Sequence, residues 1–233
     1  MRQILEQNSL LNSVKLVNTE KYPLHALENG VLSVPAFAIE NNVVLQGYFT
    51  DEDVVHLIQT GAIKIQGFEE AFERLIKSIF SSFLVASTIY LKGSFDVLQF
   101  SEKYLLSASG AFFLPERKTF LDMVNIKFRD LKVDSSNERN FLRIIGGNFV
   151  RDLYWLRRKL PSHDELQALG IRFFREWLFQ RASLGRVFVP QSVTQTQDLE
   201  ARVEKAWNYI LERFDRIASH VLEEQQAIPE NWL

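Results

Sequence analysis

A chain of 233 residues, 46% hydrophobic and 24% charged, is long enough for two domains that each bury their own core, and its balance is that of a globular rather than a disordered protein. It contains no cysteine, which excludes disulfides, thiolate metal sites and thiol catalysis by this chain. The formal charge of −2 hides a segregation: residues 1–63 carry 3 basic and 7 acidic side chains, residues 114–159 carry 11 and 6, and residues 195–233 carry 4 and 8. Such asymmetry holds parts of one molecule together or marks a partner surface, and the acidic residues at 51–53 and 198–204 are the expected counterparts of the basic segment.

Taken in chain order, RQILEQNSLL at 2–11 has a short helical pattern, and SVKLVN at 13–18 has the β-branched enrichment of a strand. PLHALENG at 23–30 opens a helix on Pro23 and stops it at Gly30. VPAFAIE at 34–40 and VVLQGY at 43–48 read as the arms of a hairpin turned at Asn41 and Asn42. TDEDVVHLIQTG at 50–61 is a helix capped by Thr50 with Asp53 and closed on Gly61. From Phe68 the period becomes helical: Phe68, Phe72, Leu75, Ile76, Ile79, Phe80, Phe83 and Leu84 share one face of a helix over 68–93. Its most apolar run, Ile79 to Leu91, is too short for the roughly 20 residues that span a bilayer and predicts a core helix.

Further helices are expected near 94–107, 115–130, 137–159, 162–183 and 195–226, the fourth announced by Ser162 with Glu165. GRVFVPQSV at 185–193 reads as an edge strand interrupted by Pro190. The 19 phenylalanines predict an aromatic core. Met1 to Leu11 lacks the basic start, apolar run and cleavage site of a secretory signal, so a cytoplasmic location is the expectation.

The order of elements over residues 1–63 resembles the second half of the thioredoxin superfamily. The matching features are a VKLVN strand, a Pro-containing turn and short helix, then GVLSVPAF, a hairpin with paired Asn, Gly47 in its second strand and a closing helix. The resemblance implies a cis Val34–Pro35 bond and a loop of Ser33, Val34 and Pro35 that offers its backbone to a peptide or partner strand, with Tyr48 beside it. The family's first strand and its Cys-x-x-Cys turn are missing from this chain. A gap is therefore expected between strands 13–18 and 34–40, to be filled by 185–193, by a second copy or by residues upstream of Met1. A thioredoxin-like domain followed by a helical one also resembles the layout of glutathione transferases. That likeness implies glutathione as a ligand and a hydroxyl donor such as Tyr48 or Tyr154, although Gly47-Tyr48-Phe49-Thr50 stands where that family has an acidic-Ser pair.

The four histidines, His25, His56, His163 and His220, sit on separate elements without metal-ligand spacing, and no metal site is expected. Gly146-Gly147 has no following Lys-Ser/Thr and reads as a helix break rather than a phosphate loop. The segment 139–159 interleaves Arg139, Arg143, Arg151, Arg157, Arg158 and Lys159 with Phe141, Phe149, Tyr154 and Trp155, a mixture that can bind anions or stack on nucleic-acid bases. A helix with one buried face produces the same mixture, and the pI of about 6.1 gives no overall nucleic-acid signal.

The sequence thus reads as an α+β protein: a partial thioredoxin-like α/β domain over 1–63 and a mainly helical domain over 64–233. The leading function is non-catalytic binding or scaffolding, with a protein partner or self-association. A glutathione-transferase-like enzyme and nucleic-acid binding through 139–159 are the alternatives.

Overall fold

The computed structural model describes residues 2–19, 21–184 and 197–226. It is a helix-rich α+β protein whose one sheet, among these residues, is a two-stranded antiparallel hairpin. Two compact units divide the chain: the first takes Met1–Val85 and Ser94–Lys132, the second Ala86–Gly93 and Val133–Leu233.

The first unit begins with α1 (Arg2–Gln7) and a single 3-10 turn at Leu11–Ser13. The strand expected over 13–18 does not form. Leu16 and Val17 are about half exposed, no neighbouring strand among the described residues offers them a ladder, and a turn competes: Asn18 Oδ1 accepts from the Lys21 N–H, and Asn18 O from the Tyr22 N–H. The expected gap beside a strand at 13–18 therefore does not arise, and the segment 185–193 lies outside the described residues. Then come α2 (Pro23–Glu28), β1 (Ala36–Ile39) and β2 (Asn42–Gln46). Ala36 lies opposite Gln46 and Ile39 opposite Asn42, with a bulge between Phe37 and Ala38. The turn sits one residue earlier than expected, with positive φ at Glu40 (50°) and Asn41 (67°), the pair of left-handed residues that lets a two-residue loop follow the strand twist.

α3 (Asp51–Thr60) starts and ends where its local signals place it. Thr50 Oγ1 accepts from the Asp53 N–H, the Asp53 carboxylate accepts from the Thr50 N–H, and Gly61 closes the helix in the left-handed region. Val44, Leu45, Leu57 and Ile63 form a buried cluster, edged by Phe37, Phe49, Ile65, Phe112 and Phe113. The helix expected over 68–93 is two, α4 (Phe68–Ser81) and α5 (Phe83–Lys92), bent by 91° at Ser82. Ser82 takes extended angles (φ −104°, ψ 113°), and its hydroxyl donates to Leu32 O at 2.7 Å, a tertiary bond that competes with helix continuation. The segment expected as a helix near 94–107 opens as a 3-10 stretch at Phe95–Phe100 before α6 (Glu102–Ser109), and α7 (Arg117–Asp130) completes the unit. α6 packs on both β2 and α4. No single helix among the described residues is long and apolar enough to cross a membrane.

The second unit contains α8 (Glu138–Arg157), α9 (His163–Leu184, kinked at Gly170) and α10 (Gln197–Gln226). Gly146-Gly147 does not break α8, which runs through both residues. A Cβ at Gly146 would stand 3.2 Å from Ile210 Cγ1 and from Ile217 Cδ1, so this glycine lets α10 approach rather than interrupting the helix. Phe149 is fully buried, with Phe174, Trp177 and Trp207 edge-on at 4.8–6.2 Å between ring centroids. Ser162 and Glu165 exchange both bonds of a capping box.

Candidate functional site

The loop Gly30–Pro35 joins α2 to β1 in the first unit, and bonds from elsewhere in that unit fix it. Gln46, the last residue of β2 and 1% exposed, accepts on Oε1 from two successive N–H groups, Leu32 at 2.9 Å and Ser33 at 3.1 Å. Its Nε2 donates to Ser107 Oγ on α6 at 2.7 Å, so one buried amide ties the loop to a helix. Ser82 Oγ holds Leu32 O, and the Gly47 N–H donates to Pro35 O at 2.9 Å. The Val34–Pro35 peptide bond is cis, as the resemblance implied.

What the loop leaves open follows from the same bonds. The N–H and C=O of Val34 and the C=O of Ser33 make no hydrogen bond among the described residues, and Val34 is 55% exposed. Among the described residues, β1, which continues from them, pairs on one side only. An exposed backbone continuous with an open strand edge is a template for another strand.

The flank of the loop is set by α4. Gly47 has φ +83°, and a Cβ there would fall 2.8 Å from Ser78 Cβ, so only glycine admits this approach of α4 to the end of β2. Ser78 Oγ accepts from the Tyr48 N–H at 2.9 Å and donates to Ala108 O at 2.7 Å. Tyr48 is thereby held beside the loop with its ring partly exposed, and the Lys77 ammonium lies over that ring, 4.8 Å from its centroid.

Beneath the loop, Ser33 and Tyr104 are 3% and 1% exposed, and neither hydroxyl makes a hydrogen bond. Burial pushes the Tyr104 phenol well above its ordinary value. Neither hydroxyl has a base beside it, so the pair shows none of the geometry of an activated nucleophile. Of the four expected loop residues, Ser33, Val34, Pro35 and Tyr48 are all brought to this one place. The residues that hold them there, Gln46, Ser78, Ser82 and Ser107, carry no local sequence signal.

The basic segment lies in the second unit, and the structure divides it. Arg151 binds Glu224 and Asn148, and Arg157 binds Glu165 at 2.9 Å. Arg158 lies 5.2 Å from the centroid of the Trp155 ring, while Arg139, Arg143 and Lys159 are exposed. Arg139, Arg143 and Arg157 share one stripe of α8, but the middle of that stripe, Gly146 and Val150, is buried. About 21 Å of helix axis separates Arg143 from Arg157. Two of the acidic residues expected to meet this segment pair elsewhere: Asp53 with Arg74, and Glu200 with Arg175.

Tyr154 is on α8, away in sequence and in compact unit from Tyr48. The histidines serve helix surfaces, His56 against Thr60 and His220 against Glu224, and among the described residues no three His, Asp or Glu side chains could hold a metal. No protein-family model matches the chain, and neither a curated protein nor a solved structure matches it.

Proposed function

We propose that the chain is a non-catalytic binding protein that docks an extended segment of a protein partner along the outer edge of β1 and the backbone of Ser33 and Val34. The observation that carries this reading is the exposed backbone of Val34, without a hydrogen bond among the described residues, in direct continuity with a strand edge that is unpaired among them. Strand addition draws affinity from main-chain bonds and specificity from alternate side chains, and Val34, Ile39 and Tyr48 present exposed apolar surface for the latter. Gln46 and Ser82 pre-organise the loop, which lowers the entropy lost on docking. Kinship of residues 1–63 with the thioredoxin superfamily is part of the same proposal, supported by the cis Val34–Pro35 bond before an antiparallel hairpin and a closing helix.

The test is a selection of random peptides on the full chain, followed by rebinding to wild type and to Ile39→Lys. Lysine on an edge strand discourages pairing without touching the core. Selected peptides with alternating apolar residues that bind wild type and lose most affinity for the variant support the reading. Peptides that bind both proteins equally overturn it.

A further inference from the structure

We infer that the segment docked at this site carries a carboxylate, received by Lys77 where its ammonium lies over the Tyr48 ring. The inference rests on the docking reading above and goes beyond it by assigning the partner's chemistry. Lys77 is tied to the site by a short chain of contacts: Tyr48, whose ring it covers, follows Gly47, and the Gly47 N–H is bonded to Pro35 O. From the same helix, Ser78 holds the Tyr48 backbone, and Ser82 at its end holds Leu32 O.

Of the acids on α3 and α4, three are committed elsewhere. Asp53 and Glu70 both bind Arg74, Glu69 binds Lys127, and Glu73, one turn before Lys77, is not within ion-pair distance of it. Lys77 forms no ion pair among the described residues, and an aromatic face cannot neutralise a cation. A docked strand that covers Tyr48 would also strip water from the ammonium, which strengthens its attraction for a carboxylate and its discrimination against a cation.

The test uses short labelled peptides of alternating Thr and Val, with Glu, Gln or Lys placed in turn at each position, titrated by fluorescence anisotropy against the full chain at about 20 mM and about 500 mM salt. At one register the Glu peptide binds about fivefold tighter than its Gln twin at low salt, the Lys peptide binds more weakly, and the difference closes at high salt. Lys77→Gln removes the advantage of Glu over Gln, and Lys77→Arg retains it. Equal affinities for Glu and Gln peptides at every register overturn the carboxylate inference and leave strand docking standing. No binding by any peptide to wild type overturns the docking reading and the inference with it.

Discussion

Gln46 satisfies two consecutive loop N–H groups with one oxygen and spends its amino group on Ser107, all at 1% exposure. Gln46→Leu, similar in size, leaves the buried Ser33 N–H and the half-buried Leu32 N–H without their acceptor, and about 2–4 kcal/mol of stability is lost. Urea unfolding measures that loss, and faster amide exchange at Leu32 and Ser33 locates it. Tyr104→Phe is the contrasting case: its hydroxyl bonds to nothing, so removal is neutral or stabilises by up to about 1 kcal/mol. Asp53 supplies a pH dependence. Burial alone would raise its carboxyl, but Arg74 and the Thr50 N–H and hydroxyl overcome that and hold it below the ordinary 3.8. Folding therefore favours the carboxylate, and the resulting stability is fully present above the ordinary value and lost as pH falls through the lower folded one. Asp53→Asn is expected to cost about 2 kcal/mol at neutral pH and to flatten the loss of stability below about pH 4, as measured by urea midpoints across pH.

At the scale of elements, α8 turns on its two glycines. Gly146 faces Ile210 and Ile217 at 3.2 Å from any added Cβ, whereas nothing lies within 4 Å of Gly147. Gly146→Leu forces α10 away and costs about 2–3 kcal/mol. Gly147→Ala stiffens the helix without a clash and gains up to about 1 kcal/mol. Urea unfolding of the two variants reads opposite signs from adjacent residues. This pair also marks how far the sequence is legible. Starts and stops governed by neighbours along the chain, Thr50 with Asp53, Ser162 with Glu165 and Gly61, stand where the sequence put them, because a cap is a local bond. The break at Ser82, the unbroken α8 and the missing strand at 13–18 were not legible, because each is decided by a distant partner or by its absence: Leu32 O, the face of α10, and a neighbouring strand. The candidate site divides the same way. Ser33, Val34, Pro35 and Tyr48 came from a local motif, while Gln46 and Ser107, 61 residues apart, meet only in the fold.

Over the whole molecule, the segregated charge of the sequence resolves largely into pairs within the second unit. Arg151 meets Glu224, Arg157 meets Glu165, Lys205 meets Glu138 and Arg175 meets Glu200. The excess of 11 basic over 6 acidic side chains in residues 114–159 is thus partly neutralised by acids from 165 and 224 rather than presented as one face. Within residues 139–159, what stays exposed outside those pairs is Arg139 with Arg143 near one end of α8 and Arg158 with Lys159 past the other, and packing buries the stripe between. A nucleic acid backbone is held by many phosphate contacts at once, and each contact contributes to a steep fall of affinity with salt. Two separated pairs of cations on a chain of net charge −2 supply few such contacts. Fluorescent single- and double-stranded DNA is therefore expected to bind weakly at low salt, with a log–log salt slope of about 2 or less, and to be released near physiological salt. Doubling Arg157→Ala with Arg158→Ala should change that affinity by less than about threefold. A slope of about 5 or more, or a large loss in the double variant, would instead show that the two ends of α8 act together as a nucleic-acid surface.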